Sequence, residues 1–228
     1  MTRQPKSQVA YKAQLYGKFA EVGRALANPH RLEILDLLSQ GERTVEDLAR
    51  EVGTTISNIS QHLHVLRGAG LVISRKEGQF VHYQLTGEDV AGFWRSMRRL
   101  SLGVSSDLRE LVSMFVDDRD DLEPVPQAEL LQRVRSGRAT VIDVRPSREY
   151  AAGHIPEALS IPLDELEERM KERSRDSEII AYCRGPFCLL SVEAVERLRK
   201  LGFDARRLED GFPEWRASGL PIERSSKT

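Results

Sequence analysis

The stretch from Asp117 to Pro126 divides the chain into two halves with different hydrophobic patterns. Before it, apolar residues recur at steps of three and four, which predicts helices; after it, short β-rich runs alternate with helical patterns. The stretch itself is acidic, contains two prolines and has no periodicity, which is typical of a linker. We therefore predict two domains, 1–116 and 124–228, joined by an acidic linker at 117–123.

Composition limits the classes of protein that fit. The 228 residues are 40% hydrophobic and 30% charged, as in a folded globular protein and unlike a disordered chain. No apolar run approaches the ~18 residues that span a bilayer, and no apolar segment follows the polar N-terminus, so we expect no membrane contact and a cytoplasmic location. The net charge is +3 over 1–116 and −4 over 117–228, which favours the first half for any nucleic-acid contact.

The first half predicts mainly helices around one β-hairpin. Asn28 and Pro29 end one helix and begin the next, and two strands, 71–75 and 80–85, flank a turn. A long helical pattern then covers 89–116. The order is helix, helix, short helix, turn, helix, hairpin and long helix, which predicts a winged helix-turn-helix with an extra helix at each end.

The second half predicts an α/β domain. Four β-rich runs alternate with helical patterns at 127–136, 163–173 and 189–201. Strands that alternate with helices favour a central parallel sheet covered on both faces. The expected strands are 140–144, 159–161, 178–182 and 205–208.

The segments 60–72 and 28–32 strongly resemble the ArsR-type repressors, over about residues 10–115. The resemblance implies that double-stranded operator DNA is the partner and that the helix at about 55–67 enters its major groove. Polar side chains on that helix can meet base edges, and basic residues of the hairpin suit phosphates. The alternative interpretation is a solvated polar helix face. The predicted DNA-binding residues are Thr55, Ser57, Asn58, Gln61, His64, Arg75 and Lys76.

The same resemblance implies a homodimer that pairs through the first helix and the long last helix of the domain. Many ArsR-type repressors sense metals through thiols at the start of the third helix, but Thr44 and Glu46 stand at those positions here. The long helix also contains no histidine. We therefore predict no metal site in the first half, so the regulatory signal must enter elsewhere.

A series of motifs in the second half closely resembles a single rhodanese domain, over about residues 124–223. They are Asp143-Val144-Arg145, Gly153-His154-Ile155-Pro156, the loop from Cys183 to Cys188, and Asp210-Gly211-Phe212-Pro213-Glu214-Trp215.

Cys183 follows a predicted parallel strand and precedes a helix, a position where amide N–H groups and the helix dipole stabilise an anion. A thiolate there has a lowered pKa and attacks soft sulfur electrophiles. The resemblance implies a covalent persulfide on Cys183, held by the loop of Gly185, Pro186 and Phe187, and no other cofactor. The alternative interpretation is an inert buried cysteine.

Three neighbours of Cys183 also have predicted roles. Cys188 is expected to be a resolving thiol that attacks the persulfide and closes a disulfide or polysulfide bridge. Arg184 adds positive charge, and Asp143, at the neighbouring strand end, orients the loop.

Departures from the family pattern argue against some activities. Glu149 and Gly185 occupy positions that are basic in the tandem-domain thiosulfate sulfurtransferases, so thiosulfate should be a poor donor. The loop also resembles that of the dual-specificity phosphatases, but theirs is one residue longer, which argues against phosphatase activity.

Together these observations predict a transcriptional repressor whose rhodanese domain senses small reactive sulfur species or oxidants through Cys183 and Cys188. Two alternatives stay open. One is a working thiosulfate or persulfide sulfurtransferase tethered to a DNA-binding domain. The other is a repressor that responds to arsenite or another soft metal held by the two thiols, although two thiols give an incomplete coordination sphere.

Overall fold

The computed structural model describes residues 8–117 and 124–225. The internal contacts divide the chain into two compact units, Met1–Trp94 and Arg95–Thr228. Their border falls within a helix. Apart from Asp117, the predicted linker lies outside the described residues, and the predicted domain borders at 116 and 124 stay predictions.

The first unit contains helices and a small antiparallel sheet in the predicted order. Its elements are α1 (Gln8–Leu26), α2 (Pro29–Ser39), β1 (Arg43–Thr44), α3 (Val45–Val52), α4 (Ile56–Gly68), β2 (Val72–Glu77), β3 (Phe80–Leu85) and the first part of α5 (Glu88–Val104). Strands β2 and β3 form the hairpin, and β1, which the sequence pattern did not predict, pairs with the other edge of β3.

Local sequence explains where these helices begin. The side chains of Asn28, Thr44 and Thr55 each accept a hydrogen bond from the backbone N–H three residues later, which satisfies one unpaired N–H of the first helical turn. Leucine and isoleucine residues of α2, α3 and α4 then pack into one buried core, including Ile34, Leu35, Leu48, Ile59, Leu63 and Leu66. This architecture confirms the winged helix-turn-helix.

The predicted long helix at 89–116 is not continuous. The structure divides it into α5, which ends at Val104, α6 (Ser106–Val112) and a π-helical turn (Ser113–Asp117). Ser105 interrupts the helix because its backbone is extended and its hydroxyl accepts from the N–H of Leu108, which caps a new helix. Hydrophobic periodicity continues through such a break, so the sequence pattern did not reveal it.

The second unit is built on a four-stranded parallel sheet of order β5-β4-β6-β7. After α6 and the π-helical turn, its elements are α7 (Gln127–Arg135), β4 (Ala139–Asp143), α8 (Ser147–Ala152), β5 (Leu159–Ser160), α9 (Leu166–Met170), β6 (Glu178–Tyr182), α10 (Leu189–Lys200), β7 (Ala205–Arg207) and α11 (Phe212–Ala217).

Alternate residues of the central strand β6 belong to different hydrophobic clusters. Ile179, Ala181 and Cys183 pack with residues of α9 and α10, whereas Ile180 and Tyr182 pack with residues of α7 and α11. Side chains of a strand alternate between the two faces of its sheet, so both faces are covered. The predicted α/β domain with a central parallel sheet is confirmed. Among the described residues, no helix has the length and apolar character needed to cross a membrane.

Candidate functional site

The outer side of α4 presents polar side chains to solvent. Thr55, Ser57, Gln61 and His64 are exposed, while Ile59, Leu63 and Leu66 of the same helix are fully buried. Asn58 is half-buried, and its side-chain amide donates to the Thr54 hydroxyl over 3.0 Å. These predicted DNA-reading residues therefore lie together on α4 and its N-cap, and the opposite face of the helix packs into the core.

The hairpin carries the other two predicted DNA contacts. Arg75 and Lys76 are both exposed on β2. The guanidinium of Arg75 is paired with two carboxylates, Glu77 at 2.6 Å and Glu42 at 2.9 Å. A phosphate bound by Arg75 would therefore have to compete with these carboxylates.

Thr44, which stands where many relatives have a metal-sensing thiol, has a structural role in this chain. Thr44 is the N-cap of α3, with its hydroxyl 3.2 Å from the N–H of Asp47. Within the described residues, no group of three or more His, Cys, Asp or Glu side chains could hold a metal ion.

Cys183 lies directly after β6, and Cys188 is the N-cap of α10. The Sγ atom of Cys183 lies 3.3 Å from the Ser191 hydroxyl and 3.5 Å from the Cys188 carbonyl oxygen. The Cys183 residue is only 1% exposed, and Cys188 is half-buried. The Cys183 thiol thus lies between the end of a strand and the first turn of a helix, as predicted, and it is enclosed by its own loop.

The two thiols differ in acidity. Burial raises the pKa of Cys183, but hydrogen bonds from the Cys188 thiol, the Ser191 hydroxyl and backbone N–H groups outweigh it, so this pKa lies below the ordinary thiol value. The pKa of Cys188 lies well above that value because its thiol donates to Cys183 and because it is buried. Cys183 is therefore the more acidic thiol of the pair.

The positive charge of Arg184 is paired with a buried carboxylate. Its guanidinium forms a fork with the fully buried Glu149 carboxylate, with Nη2 at 2.6 Å and Nε at 3.1 Å from Oε1. Glu149 therefore does more than replace a basic residue, since it also neutralises the cation beside Cys183.

Asp143, at the end of β4, is fully buried and paired with Arg145 over 2.6 Å. Arg145 in turn stacks on the ring of Phe212, 4.5 Å from its centroid, and the Phe212 N–H donates to the Cys183 carbonyl oxygen over 3.0 Å. Asp143 thus reaches the loop through Arg145 and Phe212.

Gly185, Pro186 and Phe187 form the turn between the two cysteines, in which the N–H of Cys188 donates to the Gly185 carbonyl oxygen over 3.1 Å. Gly211 packs directly against this turn: a β-carbon on Gly211 would lie 2.1 Å from the backbone nitrogen of Gly185. Glycine at 211 is therefore required for the two loops to approach.

Four residues around the loop had no role in the sequence prediction. Gly211 and Glu214 belonged to a quoted motif, and Ser191 follows Cys188 by three residues, so helical spacing could have placed its hydroxyl near the thiols. Arg98 had no such signal, since it precedes the loop by 85 residues, yet it pairs with Glu214.

Comparison with known protein families supports both resemblances. Residues 28–74 match the family described as bacterial regulatory protein, arsR family, and residues 126–218 match the rhodanese-like domain.

Relatives of full and partial length are known. The HTH-type transcriptional regulator Rv0324 of Mycobacterium tuberculosis is 41% identical over 94% of this chain and 94% of its own length. The HTH-type transcriptional regulator CmtR of the same organism is 41% identical over 39% of this chain and 75% of its own length.

Solved structures resemble each part of the chain. The solution structure of the homodimeric winged helix-turn-helix domain Mb0332 of Mycobacterium bovis is 40% identical, covers 46% of this chain and 94% of its own, and has a TM-score of 0.40. A rhodanese-related protein of Thermoplasma volcanium is 30% identical, covers 45% of this chain and 98% of its own, and has a TM-score of 0.41. The full-length match and the two family matches together show that the chain belongs to the arsR-family HTH-type transcriptional regulators and carries a C-terminal rhodanese-like domain.

Proposed function

We propose that this transcriptional regulator is a repressor that senses reactive sulfur through a persulfide on Cys183, with Cys188 as the resolving thiol. The observation that carries the proposal is the hydrogen-bonded thiol pair, in which the pKa of Cys183 is lowered and that of Cys188 is raised. One thiol is thus prepared to attack a sulfur electrophile, while its neighbour holds the proton that the later step releases.

The first chemical step is transfer of a sulfane sulfur. The Cys183 thiolate attacks the outer sulfur of a small persulfide RS–SH, the new bond forms between the two sulfurs, and RS⁻ leaves. The product is Cys183–S–SH, which is acidic and becomes Cys183–S–S⁻.

The second step releases the added sulfur as sulfide. When Cys188 loses its proton, its thiolate attacks the inner sulfur of Cys183–S–SH, forms the Cys183–Cys188 disulfide and expels HS⁻. Electrons balance, because the sulfane sulfur is reduced to sulfide while the two thiols are oxidised. A cellular thiol then reduces the disulfide by exchange.

A sulfurtransferase of high turnover with thiosulfate is the second candidate, and the Arg184–Glu149 ion pair argues against it. Thiosulfate is a dianion, so its binding needs positive charge near Cys183, whereas Arg184 is neutralised by a carboxylate at 2.6 Å. This pair favours stoichiometric sensing over turnover.

A soft metal such as arsenite is the third candidate. The two cysteines would supply only two thiolate ligands, and no group of three His, Cys, Asp or Glu side chains stands ready elsewhere among the described residues. Two ligands hold a soft metal with low selectivity, so we rank this candidate last.

We further propose that the repressor binds operator DNA through α4 and the β2–β3 hairpin, as a homodimer in the cytoplasm. On α1, large apolar side chains are exposed, among them Tyr16 at 66% and Phe19 at 60%. Leu100 of α5 and Leu111 of α6 are also exposed, at 65% and 53%. Contact with a second copy would remove such surface from water.

Sedimentation of the full chain tests the dimer. Phe19→Glu should weaken self-association by at least about tenfold, because burying a carboxylate in an apolar interface is unfavourable. Gln14→Glu, on an exposed position of the same helix, is the matched control. Equal self-association of the two variants would refute the role of this face.

Intact-mass spectrometry after polysulfide treatment, paired with operator titration, tests the sensing proposal. The wild type should first gain the mass of one sulfur. It should then lose hydrogen sulfide as the disulfide forms, which leaves it two hydrogens lighter than the untreated protein, and its operator affinity should change. Cys183→Ser should show neither modification nor the change in affinity. Cys188→Ser should keep the added sulfur and lack the disulfide.

Two results would overturn the proposal. One is a sulfur-dependent change in operator affinity that persists in Cys183→Ser, because the loop is then not the sensor. The other is efficient, repeated formation of thiocyanate from thiosulfate and cyanide, which would favour the enzyme.

A further inference from the structure

Cys183 is almost completely enclosed by its surroundings. The residue is 1% exposed, and Gly185 in the same loop is buried as well. A sulfur donor must reach the Sγ atom from outside, so the loop has to open or shift before the first step. The side chains that hold the loop closed therefore govern its reactivity.

Arg98, in the second part of α5, lies against this loop. Its Nη1 atom is 3.1 Å from the position that a β-carbon on Gly185 would occupy, and its guanidinium carbon is 5.7 Å from the centre of the Phe187 ring. The Arg98 side chain is only 13% exposed. The guanidinium thus covers two of the four residues between the cysteines.

Glu214 fixes Arg98 in this position. Its Oε1 atom accepts from Nη2 of Arg98 over 2.5 Å, and its Oε2 atom accepts from the Gly211 N–H over 3.3 Å. Gly211 in turn packs on the backbone of Gly185. One carboxylate therefore joins Arg98 to the two glycines whose close approach shapes the loop.

Helix α5 also has an anchor outside the sulfur site. One helical turn before Arg98, the indole N–H of Trp94 donates to the Asp36 carboxylate of α2 over 2.7 Å. Residues four apart on a helix keep a fixed spacing as long as the helix is intact. Helix α5 carries both the Trp94–Asp36 contact and the Arg98–Glu214 contact. A movement of the Arg98 backbone would therefore move α5 as well.

We propose that Arg98, held by Glu214, is the gate of the Cys183 loop, and that through this gate helix α5 and the sulfur site regulate each other. The biological use of this gate rests on the proposed function. Its effect on the accessibility of Cys183 does not, and can be measured separately. An anionic outer sulfur on Cys183 would compete with Glu214 for the guanidinium, which gives the modified loop a different contact with α5 from that of the unmodified loop.

The first test measures how fast iodoacetamide alkylates Cys183 in the full chain, with Cys188→Ser as background so that one thiol reacts. Arg98→Gln should raise the rate about tenfold, since it removes a charge-assisted hydrogen bond that closes the loop. Arg99→Gln removes an exposed charge from the next position and should leave the rate unchanged.

A second variant separates the gate from misfolding. Glu214→Gln keeps an oxygen that accepts from Gly211 but loses the ion pair, so it should also accelerate alkylation. The double variant Arg98→Gln with Glu214→Gln should be no faster than either single variant, because both remove the same contact. An unchanged rate in Arg98→Gln, with a native thermal transition, overturns the gate.

The second test measures the same alkylation rate with and without saturating operator DNA. Coupling between two sites is reciprocal, so DNA should change the alkylation rate in the chain that keeps Arg98 and in its Arg99→Gln variant. In Arg98→Gln, DNA should leave the rate unchanged. The coupling between DNA binding and Cys183 is overturned if DNA does not change the rate in the chain that keeps Arg98. It is also overturned if DNA still changes the rate in Arg98→Gln. Failure of the proposed function is distinguishable, because it is absence of persulfide in the mass spectra.

Discussion

Helix α4 and the Cys183 loop present their functional side chains in opposite ways. On α4 the polar residues Ser57, Gln61 and His64 are exposed, and the core holds the helix only from behind. At the loop, Cys183 is 1% exposed, and its surroundings come from the strand, α10, the Gly211 turn and Arg98.

The difference matches the role proposed for each region. A DNA groove is a large external surface, so side chains that read it must project into solvent, and their arrangement follows from the geometry of one helix. A buried thiolate needs hydrogen-bond donors on several sides, because these offset the cost of removing its charge from water. Such a site therefore depends on residues that only the fold brings together.

The largest expected effect is on stability, and it compares the same substitution at one glycine in each region. Gly211→Ala should destabilise the second unit by more than about 4 kcal/mol, because its β-carbon would overlap the Gly185 backbone at 2.1 Å. Gly68→Ala, at the end of α4, meets nothing within 4 Å and should be neutral or stabilising by up to about 1 kcal/mol. Thermal denaturation of both variants measures this, and equal stability would contradict the close packing of the loop.

Next is sequence discrimination by α4. Asn58→Ala with Gln61→Ala should reduce the preference for operator over random DNA by about 1–3 kcal/mol for each lost base contact, with salt-dependent nonspecific binding largely kept. A competition mobility-shift assay measures this preference. Lys18→Ala, an exposed charge on α1, is the control. Unchanged discrimination would remove α4 from DNA reading.

A smaller effect is expected for the charge balance at the loop. Glu149→Gln frees Arg184 from its carboxylate partner and should speed transfer of sulfur from thiosulfate to Cys183 about fivefold. Single-turnover mass measurements follow that transfer, and Glu165→Gln, an exposed carboxylate paired with Arg169, is the control. If Glu149→Gln were no faster than the control, pairing of Arg184 would not explain weak use of thiosulfate.

The smallest expected effect concerns pH and the helix-turn-helix. Burial, with Arg31 and His30 nearby, lowers the pKa of His62 below its ordinary value of 6.5. The unfolded chain therefore binds this proton more tightly, so stability that is full above about pH 6.5 falls as the pH decreases below it. His62→Gln should lose less thermal stability between pH 7.5 and 5.5 than the wild type. An equal loss would show that His62 does not contribute to the pH dependence.

Local patterns predicted much of the fold because capping and periodicity act within a few residues. Asn28 caps α2 as its place before Pro29 indicates, and the hairpin pairs 72–77 with 80–85. The break at Ser105 was missed, because apolar spacing continued through it while the hydroxyl of one serine capped a new helix. The side-chain partners of Arg184 and Asp143 were missed too, since ion pairs depend on which elements pack together.

The sequence by itself determined the two folds and the position of Cys183 between a strand and a helix, since hydrophobic period, turn residues and ordered motifs are all local properties. Only the tertiary structure decided how the thiol is held. The fork of Arg184 on Glu149 joins residues 35 positions apart, and the pair of Arg98 with Glu214 joins residues 116 apart. No spacing rule connects such residues, because their contact follows from the packing of whole elements against one another.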